Sequence, residues 1–144
     1  MHKINPLSKG TTIAGLVAEA LYLVPILLLG LMILSQSFIY HDVIDEIARA
    51  FEINASLVDT IARILGFFLL GMFVIWSIVF IINLVFFSKM IRGHYEYGRV
   101  RSLFVWQVIW GAINLLFNQL TAILYLISSI SGLHEMDKKE THHE

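Results

Sequence analysis

The chain has 144 residues, of which 58% are apolar and 15% are charged, with a mean hydropathy of +0.77 and a formal net charge of −1. This apolar fraction exceeds what a soluble domain of this size can bury, so the composition excludes an ordinary water-soluble protein. The chain contains no cysteine, which excludes disulfides, thiolate metal sites and a cysteine nucleophile.

Most of the apolar residues fall in three long blocks, at 13–40, 61–87 and 103–133. Each block exceeds the roughly 20 residues that a helix needs to cross about 30 Å of hydrocarbon. We therefore predict an all-α integral membrane protein that forms a single membrane domain over residues 1–144. Its three transmembrane helices are predicted at about 12–40, 57–90 and 102–133.

Glu19 is the one charged residue within the first predicted span. An ionisable group inside a span is costly and often marks a proton relay or a cation site. The alternative is that Glu19 lies near the inner membrane surface and is hydrogen-bonded to a neighbouring side chain. The sequence leaves both interpretations open.

The segment between the first two spans has a helical pattern of its own. In HDVIDEIARAF the apolar residues recur at helical spacing opposite the charged ones, which predicts a short amphipathic helix over about 42–52. The triplet at 54–56 should end this helix, and Ser56 is predicted to cap the next span. Asp59 and Arg63, four residues apart, are predicted to pair.

The loop at 89–101 carries four bases and a single acid, Glu96. Short loops rich in Lys and Arg stay in the cytoplasm, so this loop and the N-terminus are predicted there and the amphipathic helix is predicted on the extracytoplasmic side of the plasma membrane. If the third block crosses once, the polar tail at 134–144 lies outside. The bases of the loop are predicted to bind lipid headgroups, namely Lys89, Arg92, Arg99 and Arg101.

The third block contains the stretch INLLFNQLTAI, which places amide side chains in an otherwise apolar segment. Residues that share one face of a helix recur in alternating steps of four and three. One such series, here called the stripe, consists of Gln107, Gly111, Asn114, Asn118, Thr121, Tyr125, Ser128 and Gly132. The stripe favours one continuous helix whose polar face packs against other helices or lines a pore. The alternative is a turn near Asn118, which would give four spans.

Two tryptophans follow the basic loop closely. Trp106 and Trp110 lie within a dozen residues of its last bases, and tryptophan is enriched where a membrane meets water. We therefore predict both side chains at the inner membrane interface.

No catalytic motif occurs in the chain, and neither H-E-x-x-H, G-x-S-x-G nor a phosphate-binding glycine loop is present. We therefore expect no enzymatic activity, no cofactor and no metal. The first functional hypothesis is an accessory, regulatory, scaffold or immunity subunit that associates with another membrane protein through its helices. The alternative is a small homo-oligomeric transporter or channel that uses Glu19, Gln107, Asn114 and Asn118. Three helices enclose such a stripe poorly, so we expect a homo-oligomer or a membrane-protein partner besides the lipid bilayer, and no nucleic acid.

The stretches GFFLLGMFVIWSIVFIINLVFF and AILYLISSISG resemble the short, uncharacterised multi-span membrane proteins of Gram-positive bacteria. The resemblance implies a bacterial plasma membrane. Such proteins often have four spans, against the three predicted here. It assigns no functional residue, because it includes no diagnostic motif.

Overall fold

The structure, a computed structural model, describes residues 2–143, with side chains described up to residue 139. The described residues are 87% helical and form no strand, which confirms the predicted all-α class. The helices are α1 (Pro6–Ser35), α2 (Asp42–Ala50), α3 (Ala55–Ile91), α4 (Tyr97–Asn114) and α5 (Gln119–His143), with a π-helical turn, Gln36–Tyr40, after α1. The residues divide into two compact units: unit 1 contains residues up to 21 and from 79 onward, and unit 2 is Tyr22–Ile78.

Two helical stretches are long and apolar enough to cross a membrane, Pro6–Tyr40 and Ala55–Ile91. They contain the first two predicted spans. The first begins earlier than predicted, because Pro6 occupies the first helical position and the Asn5 side chain accepts the Ser8 backbone N–H at 2.7 Å. Asn5 is polar and Pro6 is cyclic, so a search for blocks of apolar residues does not detect the first two turns of α1.

In unit 2, α1 and α3 approach closely at two glycines. A Cβ at Gly66 would overlap the Leu34 side chain, and a Cβ at Gly30 would press on Leu70. The π-helical turn then ends at His41, which has a left-handed φ of 59° and starts α2. Ile44 and Ala48 of α2 are buried against Val58 of α3, and the charged face of α2 stays exposed.

A capping motif closes α2 at its C-terminal end. Glu52 has a left-handed φ of 52°, the Ile53 N–H donates to the Ala48 carbonyl at 3.0 Å, and the Glu52 N–H donates to the Arg49 carbonyl at 3.4 Å. This pair of hydrogen bonds is the Schellman motif, whose left-handed position is normally glycine. Glu52 therefore holds a backbone conformation that is costly for a residue with a Cβ.

α3 begins at Ala55, two residues before the predicted start at about 57. The Asn54 side chain accepts the Ser56 backbone N–H at 2.9 Å, so Asn54 caps α3 and the predicted Ser56 cap is wrong. Asn54 and Ser56 each have a side-chain oxygen that can accept a hydrogen bond. Because α3 begins at Ala55, Asn54 precedes the first turn of the helix, and its oxygen faces the free N–H groups there. The predicted pair of Asp59 and Arg63 is confirmed, with Arg63 Nε 3.3 Å from Asp59 Oδ2.

The predicted continuous helix over 102–133 is wrong. α4 ends at Asn114, a turn occupies 115–118, and α5 begins at Gln119, as the alternative with a turn near Asn118 requires. Asn118 caps α5, because its Oδ1 accepts the Thr121 N–H at 3.3 Å and its Nδ2 donates to the Thr121 hydroxyl at 2.7 Å. The two helices then pack against each other as an antiparallel pair.

One end of unit 1 brings together the N-terminal residues, the 89–101 loop and the last turns of α5. The His2 N–H donates to the Tyr95 carbonyl at 2.8 Å, and Arg101 pairs with Asp137 at 2.8 Å. Burial lowers the pKa of His2, whose ring meets the Tyr97 ring edge-on. We predicted the C-terminus on the opposite side from the N-terminus because we assumed a single third crossing, and the turn at 115–118 removes that basis.

The left-handed φ of Glu52 predicts that Glu52→Gly stabilises the end of α2. Removing the Cβ penalty of about 1 kcal/mol should slow amide exchange in residues 42–53 by roughly fivefold. Hydrogen–deuterium exchange followed by mass spectrometry measures this change. Glu46→Gly, in the middle of the same helix, is the matched control and should accelerate exchange, since glycine costs about 1 kcal/mol in a helix interior. Equal effects of the two variants would contradict the prediction.

Candidate functional site

The candidate site is built around the buried carboxylate of Glu19 in unit 1. Glu19 lies on α1 and is 3% exposed. Its Oε1 accepts two hydrogen bonds, from Asn83 Nδ2 of α3 at 2.9 Å and from Trp110 Nε1 of α4 at 2.8 Å. One carboxylate oxygen therefore ties three helices together.

Asn83 links this carboxylate to a second tryptophan. Its Oδ1 accepts the Trp106 indole N–H at 2.7 Å, and the rings of Trp106 and Trp110 stack with centroids 5.8 Å apart. An indole N–H can only donate, which fixes the amide orientation: Oδ1 faces Trp106 and the NH₂ group faces Glu19. Trp110 is 5% exposed and Trp106 is half-buried, so both contribute to the interior network. Their predicted position at the inner membrane interface stays a prediction.

The second oxygen of Glu19 is in a different situation. The Tyr125 hydroxyl of α5 is close enough to the same carboxylate to interact with it, but neither this hydroxyl nor Glu19 Oε2 makes a well-formed hydrogen bond with a described residue. The Tyr125 ring fits against α1 at Gly15, where a Cβ would overlap the ring, and it meets the Phe87 ring edge-on. The phenol is thus held beside the Glu19 carboxylate.

Hydroxyl groups continue the polar interior toward the start of α1. The Thr12 and Ser128 hydroxyls are 2.7 Å apart, and Gln107 Nε2 donates to the Thr12 hydroxyl at 3.0 Å. Ser8 donates to the Ser128 carbonyl at 2.7 Å. These contacts pack α1 between α4 and α5, since each helix supplies one member of the network.

In the other direction, Asn118 connects the α4–α5 turn to α1, because its Nδ2 also lies 3.3 Å from the Ala18 carbonyl. From Ser8 to Ala18 the chain advances 10 residues along α1, a distance of about 15 Å. We call this interior the polar seam and define it as Ser8, Thr12, Glu19, Asn83, Gln107, Asn114, Asn118, Thr121, Tyr125 and Ser128, all of which are buried.

Four polar atoms of the seam have no hydrogen-bond partner among the described residues. They are Glu19 Oε2, Gln107 Oε1, Asn114 Oδ1 and the Tyr125 hydroxyl. Each would cost about 1–3 kcal/mol if it stayed dry, so bound water or a ligand is required to offset the cost. Gln107 and Asn114 are about 10 Å apart along α4, so these atoms follow the seam instead of converging on one point.

The structure places the predicted residues as follows. The eight residues predicted to pack between helices or line a pore are all buried in unit 1, namely Glu19, Gln107, Gly111, Asn114, Asn118, Thr121, Tyr125 and Ser128. The predicted headgroup-binding residues are exposed, namely Lys89, Arg92, Arg99 and Arg101. Among the described residues no group of three or more His, Asp and Glu side chains could hold a metal ion.

The sequence analysis missed Asn83, Ser8 and Thr12. Asn83 is the one amide in the apolar run of α3 and is 1% exposed, so an isolated amide in a long apolar helix was the available signal. Ser8 and Thr12 precede the apolar block and read as part of a polar N-terminal segment. No protein-family model, curated protein or solved structure matches the chain.

The contact between Gly15 and Tyr125 predicts an intolerant position at the site. Gly15→Ala should lower the free energy of unfolding by about 1–3 kcal/mol, because the added Cβ overlaps the buried Tyr125 ring. Titration of the purified protein in detergent micelles with a denaturing surfactant measures this loss. Gly10→Ala is the matched control on the same helix, since no atom lies within 4 Å of a Cβ there. A Gly15→Ala protein as stable as Gly10→Ala would show that the ring does not occupy this position.

Proposed function

We propose that the chain is an integral protein of a bacterial plasma membrane with four crossings. The support is an inverted distribution of polarity: the seam buries amides and a carboxylate, while large apolar side chains such as Leu21, Phe68 and Ile75 are more than half exposed. Such a surface suits hydrocarbon and is unsuitable for water. α1 and α3 supply two crossings, and the paired helices α4 and α5 supply the third and fourth.

Charge supports an orientation with both termini in the cytoplasm. Eight of the 10 Lys and Arg residues belong to unit 1, namely Lys3, Lys9, Lys89, Arg92, Arg99, Arg101, Lys138 and Lys139. They lie in the N-terminal segment, the 89–101 region and the end of α5. A basic end of this kind stays on the cytoplasmic side. The short helix α2, with its acidic residues, then faces the exterior.

The topology is testable with reporters that are active on only one side of the membrane. A fusion after Glu144 and a fusion at Gly93 should both report the cytoplasm, and an insertion at Glu52 should report the exterior. The physical reason is that α4 and α5 each cross once and return the chain to its starting side. An exterior signal from the fusion after Glu144 would contradict four crossings and restore a three-span topology.

Within this topology we propose that unit 1 binds and transfers a proton through Glu19, as a small proton channel or proton-coupled transporter. The proposal depends on one observation: the two carboxylate oxygens of Glu19 differ in their hydrogen bonding. Oε1 is fixed by two N–H donors, which holds the group in place. Oε2 makes no well-formed hydrogen bond with a described residue, and the Tyr125 hydroxyl lies next to the carboxylate, so Oε2 is available to accept and release a proton.

The surroundings of Glu19 favour this role over a purely structural one. None of the ion pairs of the described residues includes Glu19, so no cation compensates its charge. A buried carboxylate without a cation is costly and marks proton pathways in membrane proteins. A structural role would be served equally by glutamine, which keeps the oxygen that accepts from Asn83 and Trp110.

Because glutamine can replace glutamate in a structural role but cannot carry the proton, the Glu19→Gln variant separates the two roles. Glu19→Gln retains the fold but removes the exchangeable proton, so proteoliposomes that contain this variant should collapse an imposed pH gradient at least about tenfold more slowly than the wild type. A pH-sensitive dye trapped in the vesicles measures the flux, and infrared difference spectroscopy tests for a carboxylic acid signal that the variant lacks.

Glu46→Gln is the matched control, because Glu46 is an exposed carboxylate on α2. Its flux and infrared signal should equal those of the wild type. Equal flux from Glu19→Gln and the wild type, or the absence of any Glu19 carboxyl signal on changing pH, would refute proton transfer by Glu19.

A second candidate is a non-enzymatic accessory subunit, and one observation favours it. Only 6% of the residues in the most apolar stretch of α3 are buried, which leaves a long helical face for another membrane protein or a second copy of this chain. The stripe was expected to need a partner that covers it. It does not support this candidate, because unit 1 already buries these residues. Cross-linking in intact membranes from position 68 or 75 would capture such a partner, and a purely monomeric product would oppose it.

A further inference from the structure

We propose that unit 2 binds the acyl chain of an amine-bearing zwitterionic phospholipid, such as phosphatidylethanolamine, in an apolar groove between α2 and α3. The inference rests on the proposed membrane placement and is independent of proton transfer by Glu19. The residues that line the groove all belong to unit 2.

The walls of the groove are apolar and come from three helical elements. They include Ile33 at the end of α1, Val43 and Ile47 of α2, and Ile61 and Leu65 of α3. The cavity has a volume of about 380 Å³, within the range of pockets that hold small molecules. Gln36 is its only polar lining residue, and the Gln36 side chain is occupied at the rim because its Oε1 accepts the Val43 N–H at 3.2 Å.

The groove continues along α3. A second apolar cavity of about 310 Å³ is lined by Ile61, Ile64, Leu65 and Phe68, so it shares two residues with the first. From Val58 in the first cavity to Phe68 in the second, the helix advances 10 residues, or about 15 Å. This distance equals about half the 30 Å hydrocarbon core, which is the depth of one leaflet. The length therefore fits an acyl chain that descends from the membrane surface beside α3.

The position of α2 fixes the polar end of the lipid. α2 packs on α3 through Ile44 and Ala48 and exposes its charged face, so it suits the boundary between headgroups and hydrocarbon. Four acids and one base occur in residues 42–52, namely Asp42, Asp45, Glu46, Glu52 and Arg49. This excess of negative charge attracts the ammonium group of phosphatidylethanolamine and repels anionic headgroups. Charge complementarity thus selects among the membrane lipids.

A partner helix is the competing occupant of the groove. An α-helix is about 10 Å across with its side chains, so it would need a wide face on unit 2. The groove is instead narrowed by α2, whose Val43 and Ile47 form one wall. A single extended hydrocarbon chain fits this shape better than a helix does.

Native mass spectrometry of the purified full-length chain in mild detergent tests the proposal. The protein is titrated with phosphatidylethanolamine and with phosphatidylglycerol of the same acyl chains. We expect one tightly held lipid per chain and an affinity for phosphatidylethanolamine at least about fivefold higher than for phosphatidylglycerol. Replacing Ile61 by tryptophan (Ile61→Trp) fills the groove and should weaken binding by about tenfold or more.

Ile75→Trp is the matched control, because Ile75 is equally exposed on α3 and lines neither cavity. It should bind lipid as the wild type does, and circular dichroism should show the same helix content in both variants. Leu65→Trp, which also fills the groove, provides a second test should Ile61→Trp fail to fold. No stoichiometric lipid, unchanged binding by the groove-filling variants, a preference for phosphatidylglycerol, or a co-purifying protein displaced by Ile61→Trp would each overturn the proposal. Because this readout does not involve proton flux, its failure is distinct from failure of the Glu19 experiment.

Discussion

The hydrogen bonds to Glu19 are the interaction on which unit 1 depends. A carboxylate in an apolar interior must be hydrogen-bonded, and here two N–H donors from two other helices meet one oxygen. Asn83 and Trp110 must lie at the same depth as Glu19 to make these bonds, so the network sets the register of α1, α3 and α4. In hydrocarbon the outer surfaces contribute little to helix association, so interior polar contacts and close packing do most of this work.

The same constraint explains why the stripe of the third block is compatible with a turn. We predicted one continuous helix because the stripe keeps one helical register on both sides of Asn118. The structure supplies another reason for this register: α4 and α5 are neighbours in one bundle, and each buries its polar face toward the seam. Asn118 takes part in both the turn and the seam, because it caps α5 and contacts the Ala18 carbonyl of α1. Because α4 and α5 face the same polar seam, their polar residues follow one helical series on both sides of the turn.

Unit 2 is assembled by different means. It brings α1 and α3 together at Gly30 and Gly66, where the absence of a Cβ allows close approach, and it adds a polar cluster in which Ser37 donates to Asp59 at 2.6 Å and accepts from Arg63 at 2.9 Å. The Arg63 guanidinium also lies 4.4 Å from the centre of the Phe38 ring. The groove beside α2 is a large apolar cavity that the side chains of this unit leave open. We therefore propose different ligands for the two units, a proton for the first and a lipid chain for the second.

The helical class, the two long apolar helices, the segment that forms α2 and the side chains that needed burial were all predictable from the amino-acid sequence. These features follow from local composition and periodicity, which act within a few residues of each other. That Asn54 caps α3, that Trp110 donates to Glu19 and that Asn83 belongs to the site became clear from the three-dimensional packing alone. Contacts within the fold join residues up to 126 positions apart, as Asn5 and Ser131 are, and a one-dimensional pattern cannot specify them. The turn at 115–118 was likewise settled by packing, because a polar face at helical spacing fits one long helix and two paired helices equally well.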